Sequence, residues 1–132
     1  MANLTWKYVK PLSNSNAVED FEKDNHITIP QDLKQCIKDN NGGRPSLNVF
    51  DTNKSRDRVF KTLLSFNKAD KETIFSLFPS IHSEHNGLIP FASDPGGNYL
   101  CIQGTKIVLF LHENETLEDI ADSFSELLLK LH

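Results

Sequence analysis

The stretch Asp94-Pro95-Gly96-Gly97-Asn98 is the first place to look for chemistry, because backbone N–H groups of a glycine-rich loop can hold a phosphate. A P-loop also needs a Lys-Ser or Lys-Thr pair that opens a helix, and neither follows here. Apolar runs at 88–92 and 99–102 flank the stretch instead. We therefore expect the glycines to allow a tight turn at positive φ between two strands.

The histidines are the next candidates, since His82, His85 and the pair His112-Glu113 could ligate a metal. The spacing of His82 and His85 suits a metal, but no cysteine joins them and no His-Glu-x-x-His helix is present. They also lie in a polar segment, where surface histidines are common. The sequence therefore predicts no metal site and no cofactor.

Nucleophilic catalysis has no better support in the sequence. There is no Gly-x-Ser-x-Gly elbow, and both cysteines, Cys36 and Cys101, lie among apolar neighbours. The carboxylates are spread along the chain, so no acid/base pair stands out. We expect a protein that is not an enzyme. Buried free thiols are the expected state of the cysteines, although their spacing does not exclude a disulfide.

The overall charge narrows the class of partner. The chain of 132 residues has a net charge of −4, which argues against direct nucleic-acid binding and favours solubility or a basic protein partner. No apolar run approaches the roughly 20 residues that span a bilayer. The first residues also lack the apolar core of a signal peptide. The expected location is the cytoplasm, with no membrane contact.

The sequence feature that most strongly suggests a binding function is a set of acidic residues near the end of the chain. They recur at helical spacing, opposite an apolar stripe, in a helix predicted to begin at a capping box of Thr116 and Asp119. This acidic face either keeps the protein soluble or docks a basic partner, which would relieve the repulsion between like charges. Its residues are Glu115, Glu118, Asp119, Asp122 and Glu126.

Helices and strands must position these residues. A helix over 17–24 is predicted with Asn16 as N-cap and Glu19 as its reciprocal partner. A second begins at Pro30 and ends before Gly42 and Gly43. Strands are predicted at 46–50 and 59–66, and the second of these could instead be a helix. A helix over 70–78, stopped by Pro79, and a loop at 81–87 follow. Strands at 88–93, 99–102 and 107–111 then precede the last helix.

Clustered strands with helices toward both ends predict an α+β fold: one domain over residues 1–132, with an antiparallel or mixed sheet flanked by about four helices. Residues 1–16 are expected to be irregular, with Trp6 and Tyr8 in a short strand or against a loop edge. The polar segment 51–58 is expected to be a mobile loop or a hairpin tip, and it is a second candidate binding face. The nine phenylalanines are expected to fill the core.

Three blocks of sequence, in this order, resemble the SUKH superfamily. The first contains Phe21-Glu22, Ile29-Pro30 and Asn41-Gly42-Gly43-Arg44-Pro45. The second is Leu88-Ile89-Pro90-Phe91-Ala92-Ser93-Asp94 with Gly96-Gly97-Asn98-Tyr99. The third is Val108-Leu109-Phe110 with His112-Glu113, then Ile120-Ala121-Asp122-Ser123-Phe124. Ile29 and Cys36 depart from the usual pattern and residues 46–87 match little, so the resemblance predicts nothing for that middle segment.

The resemblance implies an immunity protein that binds and neutralises a cognate secreted toxin, often a nuclease, without catalysis of its own. Within the superfamily the resemblance extends to the YobK-type antitoxins of the Bacillus group. The alternatives are a regulatory scaffold, a role of some eukaryotic members, and a small metal-dependent hydrolase. The motif residues are expected to be structural: Pro30, Gly42, Gly43, Pro90, Phe91, Asp94, Gly96, Gly97 and Asn98.

Overall fold

The computed structural model describes residues 4–132 and confirms a single α+β domain. Its helices are α1 Ala17–Asn25, α2 Gln31–Asn40, α3 Ile74–Glu84 and α4 Phe124–Lys130. Its strands are β1 Trp6–Lys7, β2 Arg44–Pro45, β3 Val49–Phe50, β4 Arg58–Val59, β5 Thr62–Leu63, β6 Ile89–Ser93, β7 Tyr99–Gln103, β8 Lys106–Leu111 and β9 Thr116–Ala121.

The centre of the fold is an antiparallel sheet with the strand order β5-β6-β7-β8-β9. The three consecutive strands predicted from the apolar runs are β6, β7 and β8. Both faces are covered, as continuous apolar runs require. Leu100 and Leu109 face a cluster that includes Leu33 of α2 and Phe124 of α4. Cys101 and Val108 face a second cluster that contains Ile81 of α3.

The turn between β6 and β7 is held by the side chain of Asp94. One of its oxygens accepts the N–H groups of Gly96 (2.9 Å) and Asn98 (2.7 Å), and the other accepts the Asn98 amide (3.0 Å). Gly97 has φ +84°, a conformation that costs glycine little. Because Asp94 occupies two of its N–H groups, the loop is a tight strand connection, as the sequence predicts, and not a phosphate cradle.

Helix α2 ends where the sequence predicts. Gly42 has φ +70°, and a methyl group on Gly43 would lie 2.8 Å from the Asn40 carbonyl oxygen. Asn41, which lies between Asn40 and Gly42 in the chain, is fully buried. Its amide donates to the carbonyl of Lys10 and to the Ser65 hydroxyl, and its oxygen accepts the N–H of Phe66. The Asn-Gly-Gly block therefore ends one element and joins three segments.

Helix α3 contradicts the prediction that Pro79 ends a helix and that 81–87 is a loop. The helix runs through Pro79 to Glu84. Proline removes one backbone hydrogen bond. The continuation in return buries Ile74, Phe78 and Ile81 along one side of the helix. Packing against the sheet therefore outweighs the local signal.

Two further predictions from local patterns are wrong in part. Asn16 is the N-cap of α1, as predicted, but its side chain makes no capping hydrogen bond; the Asn14 side-chain oxygen accepts the Asn16 N–H instead. The predicted strand at 59–66 is divided into β4 and β5, and only 49–50 of the predicted strand 46–50 is a strand. These residues have few ladder partners, because β3 and β4 pair only with each other.

The largest error concerns residues 116–121, which form β9 and not the first turns of the last helix. Leu117 lies opposite Phe110 and Glu118 opposite Leu109 in the ladder with β8. Helix α4 begins only after Ser123, whose hydroxyl accepts the N–H of Glu126. The apolar positions 117, 120 and 121 suit either element, and pairing with β8 decides between them. The acidic face of a helix therefore does not exist in the predicted form.

Both outer strands of the central sheet are covered. On β9, Asn53 donates its N–H to the carbonyl of Asp119 and accepts the Asp119 N–H on its side chain. On β5, the N–H of Leu63 donates to the carbonyl of Gly43. Covered edges prevent the sheet from pairing with another chain. Segment 51–58 forms the tip of the β3–β4 hairpin, one of the two predicted forms, and Asn53 joins this tip to β9.

The core agrees with the composition. Eight of the nine phenylalanines are buried, and Phe75 is partly buried against them. Phe21 contacts Phe66, Phe75 and Phe78 edge-on, with ring centroids 4.9–5.6 Å apart. The two cysteines are free. No helix of the described residues has the length and apolar character to cross a membrane.

Candidate partner-binding groove

The structure brings together three of the five acidic residues singled out from the sequence. Asp119 is on β9, Asp122 follows the end of that strand, and Glu126 is in the first turn of α4. All three line one groove with a volume of about 550 Å³. Strand and helix meet at residues 122–123, so the groove is the junction of the two elements that replace the predicted single helix.

The opposite wall of this groove comes from segment 51–58 and from the end of the chain. Asp51, Thr52 and Asn53 line one side, and His132 lies beside them. A ladder-like pair of hydrogen bonds joins Val49 and His132 through their backbones, at 2.9 and 3.0 Å. Strand β3 therefore places both Asp51 and the chain end at the groove. We call this cavity the acidic groove.

The acidic groove carries an excess of negative charge. Four carboxylates line it, those of Asp51, Asp119, Asp122 and Glu126, against the ammonium groups of Lys106 and Lys130. Lys106 lies 3.6 Å from Asp119 and Lys130 lies 3.0 Å from Glu126. These pairs are about half exposed, so each is weak and can exchange for a partner's cation. Asp122 has no ion pair among residues 4–132.

Glu118 differs from the other acidic residues because it is buried, with 7% of its surface exposed. Its carboxylate accepts hydrogen bonds from the hydroxyls of Thr52 (2.7 Å) and Ser55 (2.6 Å), and the Arg58 guanidinium lies 4.0 Å away. Burial by itself would raise the pKa of Glu118, but the hydroxyl hydrogen bonds and the charge of Arg58 lower it. Glu118 therefore holds the wall of the acidic groove and does not face a partner.

Glu115 is separated from the acidic groove. It lies in the turn between β8 and β9, at φ +55°, with its carboxylate 3.3 Å from the His85 ring. The other histidines are also apart: His82 stacks on Phe78, and His112 contacts the carbonyl of Gly96. The structure does not bring the predicted metal-ligand candidates together.

One group in the described part of the chain does place three ligand-type side chains close together: atoms of Asp51, Asp57 and His132 lie within 4.8 Å of one another. Sequence reasoning missed this group because its members are far apart in the chain. Both Asp51 oxygens already accept hydrogen bonds, from the Asp57 N–H and from Arg56. These contacts lower the pKa of Asp51, with the Asp57 N–H as the main cause, and keep the carboxylate charged at the groove.

Comparison with protein families identifies the chain. Residues 13–130 match the model of the SMI1 / KNR4 family (SUKH-1). The chain belongs to this family. No curated protein and no solved structure gives a significant match. Members of the SUKH-1 family are generally immunity proteins and not enzymes, and the family suggests a toxin as the partner.

The motif residues of this SUKH-1 chain lie in the scaffold and not in the acidic groove. Pro90 and Phe91 are buried on β6 in the central sheet. Pro30 is the N-cap of α2, and Asp94 and Asn98 are buried in the β6–β7 turn. The residues expected to be structural therefore describe the fold, while the acidic groove overlaps the resembling blocks only at 120–122.

Proposed function

We propose that this SUKH-1 chain is a cytoplasmic immunity protein that binds a cognate toxin and blocks it by occlusion, without catalysis of its own. Family membership over residues 13–130 is the observation that carries the proposal. The likeness to the YobK-type antitoxins of the Bacillus group, drawn from sequence, belongs to the same proposal.

The acidic groove gives this proposal a physical mechanism. A nuclease toxin binds the phosphates of its substrate through a basic cleft. Carboxylates on Asp119, Asp122 and Glu126 would occupy such a cleft as the phosphates do and exclude the nucleic acid. Electrostatic attraction of this kind also speeds association, which benefits a protein that must act before the toxin does. Of the five acidic residues predicted from the sequence, these three remain as candidate contact residues. Glu118 supports them by holding the wall of the acidic groove.

The test is charge reversal of the three groove residues together, Asp119→Lys, Asp122→Lys and Glu126→Lys. The matched control reverses three exposed acidic residues outside the groove, Asp24, Glu84 and Glu113, and changes the net charge equally. With the cognate toxin as the partner, to be sought in the reading frames beside this gene, we expect the groove variant to lose at least about a hundredfold in affinity, as charged interface hot spots do. The control should lose less than about fivefold, through long-range attraction alone.

Equal losses in the two variants would mean that only net charge matters, and the acidic groove would then not be the contact surface. Unchanged affinity in the groove variant would remove the groove from the mechanism and leave the family assignment intact.

A further inference from the structure

A second groove lies away from the acidic one, between the N-terminal segment and the strands β2 and β5. Its volume is about 570 Å³, and its lining includes Tyr8, Lys10, Arg44 and Lys71 together with Asp70 and Glu72. We call it the basic groove. Gly42 and Arg44 of the Asn-Gly-Gly block line it, but the sequence analysis gave that block a structural role only.

Tyr8 is the unusual residue of this groove. It is 71% exposed, and it follows β1 with φ +59°, a backbone conformation that costs free energy for a bulky residue. Hydrogen bonds fix the chain on both sides of it: Ser46 donates its N–H to Thr5, and Lys10 donates its N–H to Asn41. The fold therefore holds an aromatic ring in solvent at a cost in stability.

Arg44 lies beside that ring. Its guanidinium carbon is 5.4 Å from the ring centroid of Tyr8, a cation–π arrangement. The β1–β2 ladder places the two residues, because Lys7, next to Tyr8, pairs with Arg44. Tyrosine and arginine are the residues enriched where proteins bind partners most strongly.

The cations of the basic groove are free to bind, whereas its carboxylates are not. Lys10, Arg44 and Lys71 are exposed and make no ion pair within residues 4–132. Asp70 accepts the Ser65 hydroxyl at 2.5 Å. Glu72 is shared between Lys61 (2.5 Å) and the Ser93 hydroxyl (2.8 Å). Three unpaired positive charges thus surround one exposed aromatic ring.

We propose that the basic groove binds an acidic peptide segment that carries an apolar side chain. The carboxylates of the segment pair with Lys10, Arg44 and Lys71, and its apolar side chain packs on the ring of Tyr8. The site is independent of the acidic groove and takes a partner of the opposite charge.

A protein segment fits this groove better than a nucleic acid does. Asp70 and Glu72 line the same cavity and would repel a phosphate backbone, whose charge is continuous. A peptide can place its carboxylates beside the lysines and a neutral residue beside the two acids. The net charge of −4 also opposes a nucleic acid over the rest of the surface.

The experiment measures fluorescence anisotropy of a labelled peptide, a run of glutamates around one leucine, titrated with the whole protein. We expect saturable binding that weakens as salt is added. Tyr8→Ala and Arg44→Ala should each weaken it at least about fivefold, the loss that separates contributing interface residues from near-neutral ones. Arg44→Lys, which keeps the charge and loses the planar stacking group, should fall between wild type and Arg44→Ala.

Lys23→Ala is the matched control, because Lys23 is exposed on α1 and its removal changes the net charge as Arg44→Ala does. Its peptide affinity should stay within about twofold of wild type. Three results would overturn the proposal: no saturable binding of the peptide, equal weakening by Lys23→Ala and Arg44→Ala, or tighter binding of a labelled single-stranded oligothymidine that depends on Arg44. Circular dichroism of each variant checks that it is folded.

Discussion

The acidic and basic grooves differ less in how many charges they contain than in how those charges are used. In the acidic groove both lysines are paired, Lys106 with Asp119 and Lys130 with Glu126, and two further carboxylates remain beyond these pairs. In the basic groove the carboxylates are the occupied groups, held by hydroxyls and by Lys61. The acidic groove therefore keeps a surplus of carboxylates, with Asp122 outside any ion pair, whereas the basic groove leaves three cations without an ion pair among the described residues.

This difference has a consequence for binding. A partner of the acidic groove must exchange two exposed ion pairs, which costs little because such pairs contribute about 0–1 kcal/mol each. A partner of the basic groove meets free cations and a ring already held in place, so it displaces no ion pair there. The acidic groove suits fast, charge-driven capture, and the basic groove suits a short segment with a defined apolar contact.

Among the variants that test this comparison of the two grooves, Glu118→Ala should change the free energy of unfolding most. The change leaves the hydroxyls of Thr52 and Ser55 without their acceptor and Arg58 without its counter-charge, and it frees the 51–58 wall of the acidic groove. We expect a loss of about 2–3 kcal/mol in the free energy of unfolding, measured by urea denaturation. Glu115→Ala, at an exposed turn, should change it by less than about 0.5 kcal/mol. Peptide binding at the basic groove should not change, and a loss there would show that the grooves are coupled.

The same carboxylate should make stability depend on pH. The pKa of Glu118 is lower in the folded protein than its ordinary value of 4.5, so its contribution is complete above that value and is lost as the pH falls. Urea denaturation at neutral pH and near pH 3 should therefore show a smaller acid-induced loss for Glu118→Gln than for wild type. An identical acid-induced loss in both proteins would mean that Glu118 is not a stabilising charge.

A smaller difference in stability is expected between the two variants Tyr8→Gly and Tyr8→Ala. Both remove the ring, but only glycine removes the strain of φ +59°. Thermal or urea denaturation should find Tyr8→Gly more stable than Tyr8→Ala by about 1 kcal/mol. If both variants also lose acidic-peptide binding, the ring is present for binding and not for stability. Equal stability of the two variants would contradict the strained backbone.

The smallest effect is expected from Lys106→Gln, which frees Asp119 from its ion pair. The free energy of unfolding should fall by less than about 1 kcal/mol, because the pair is half exposed. Stopped-flow measurement should find faster association with a basic partner, by less than about tenfold at low salt. Lys23→Gln serves as control for the change in net charge, and slower association of Lys106→Gln would mean that the lysine itself contacts the partner.

Local sequence signals predicted those parts of the fold whose partners are also local. The β6–β7 turn follows from Asp94 and Gly97, because the carboxylate and the N–H groups that it accepts lie within four residues of each other. The end of α2 follows from Gly42 in the same way. The three central strands follow from their apolar runs.

Elements that depend on distant partners were mispredicted. Residues 116–121 carry a helical spacing of apolar residues, and only the ladder with β8 makes them a strand. A signal for the true start of α4 was available, since Ser123 and Glu126 form the Ser-x-x-Glu pattern of a capping box. The acidic groove itself joins 51–53 to 119–132, and no pattern within either segment predicts their meeting.

The most direct measurement takes a candidate toxin domain from the reading frames beside this gene and determines its affinity for the purified protein by isothermal titration calorimetry, with the groove triple variant in parallel. The proposed function predicts a tight one-to-one complex that inhibits the toxin, and loss of both binding and inhibition in the triple variant. A wild-type protein that neither binds nor inhibits that toxin would contradict it.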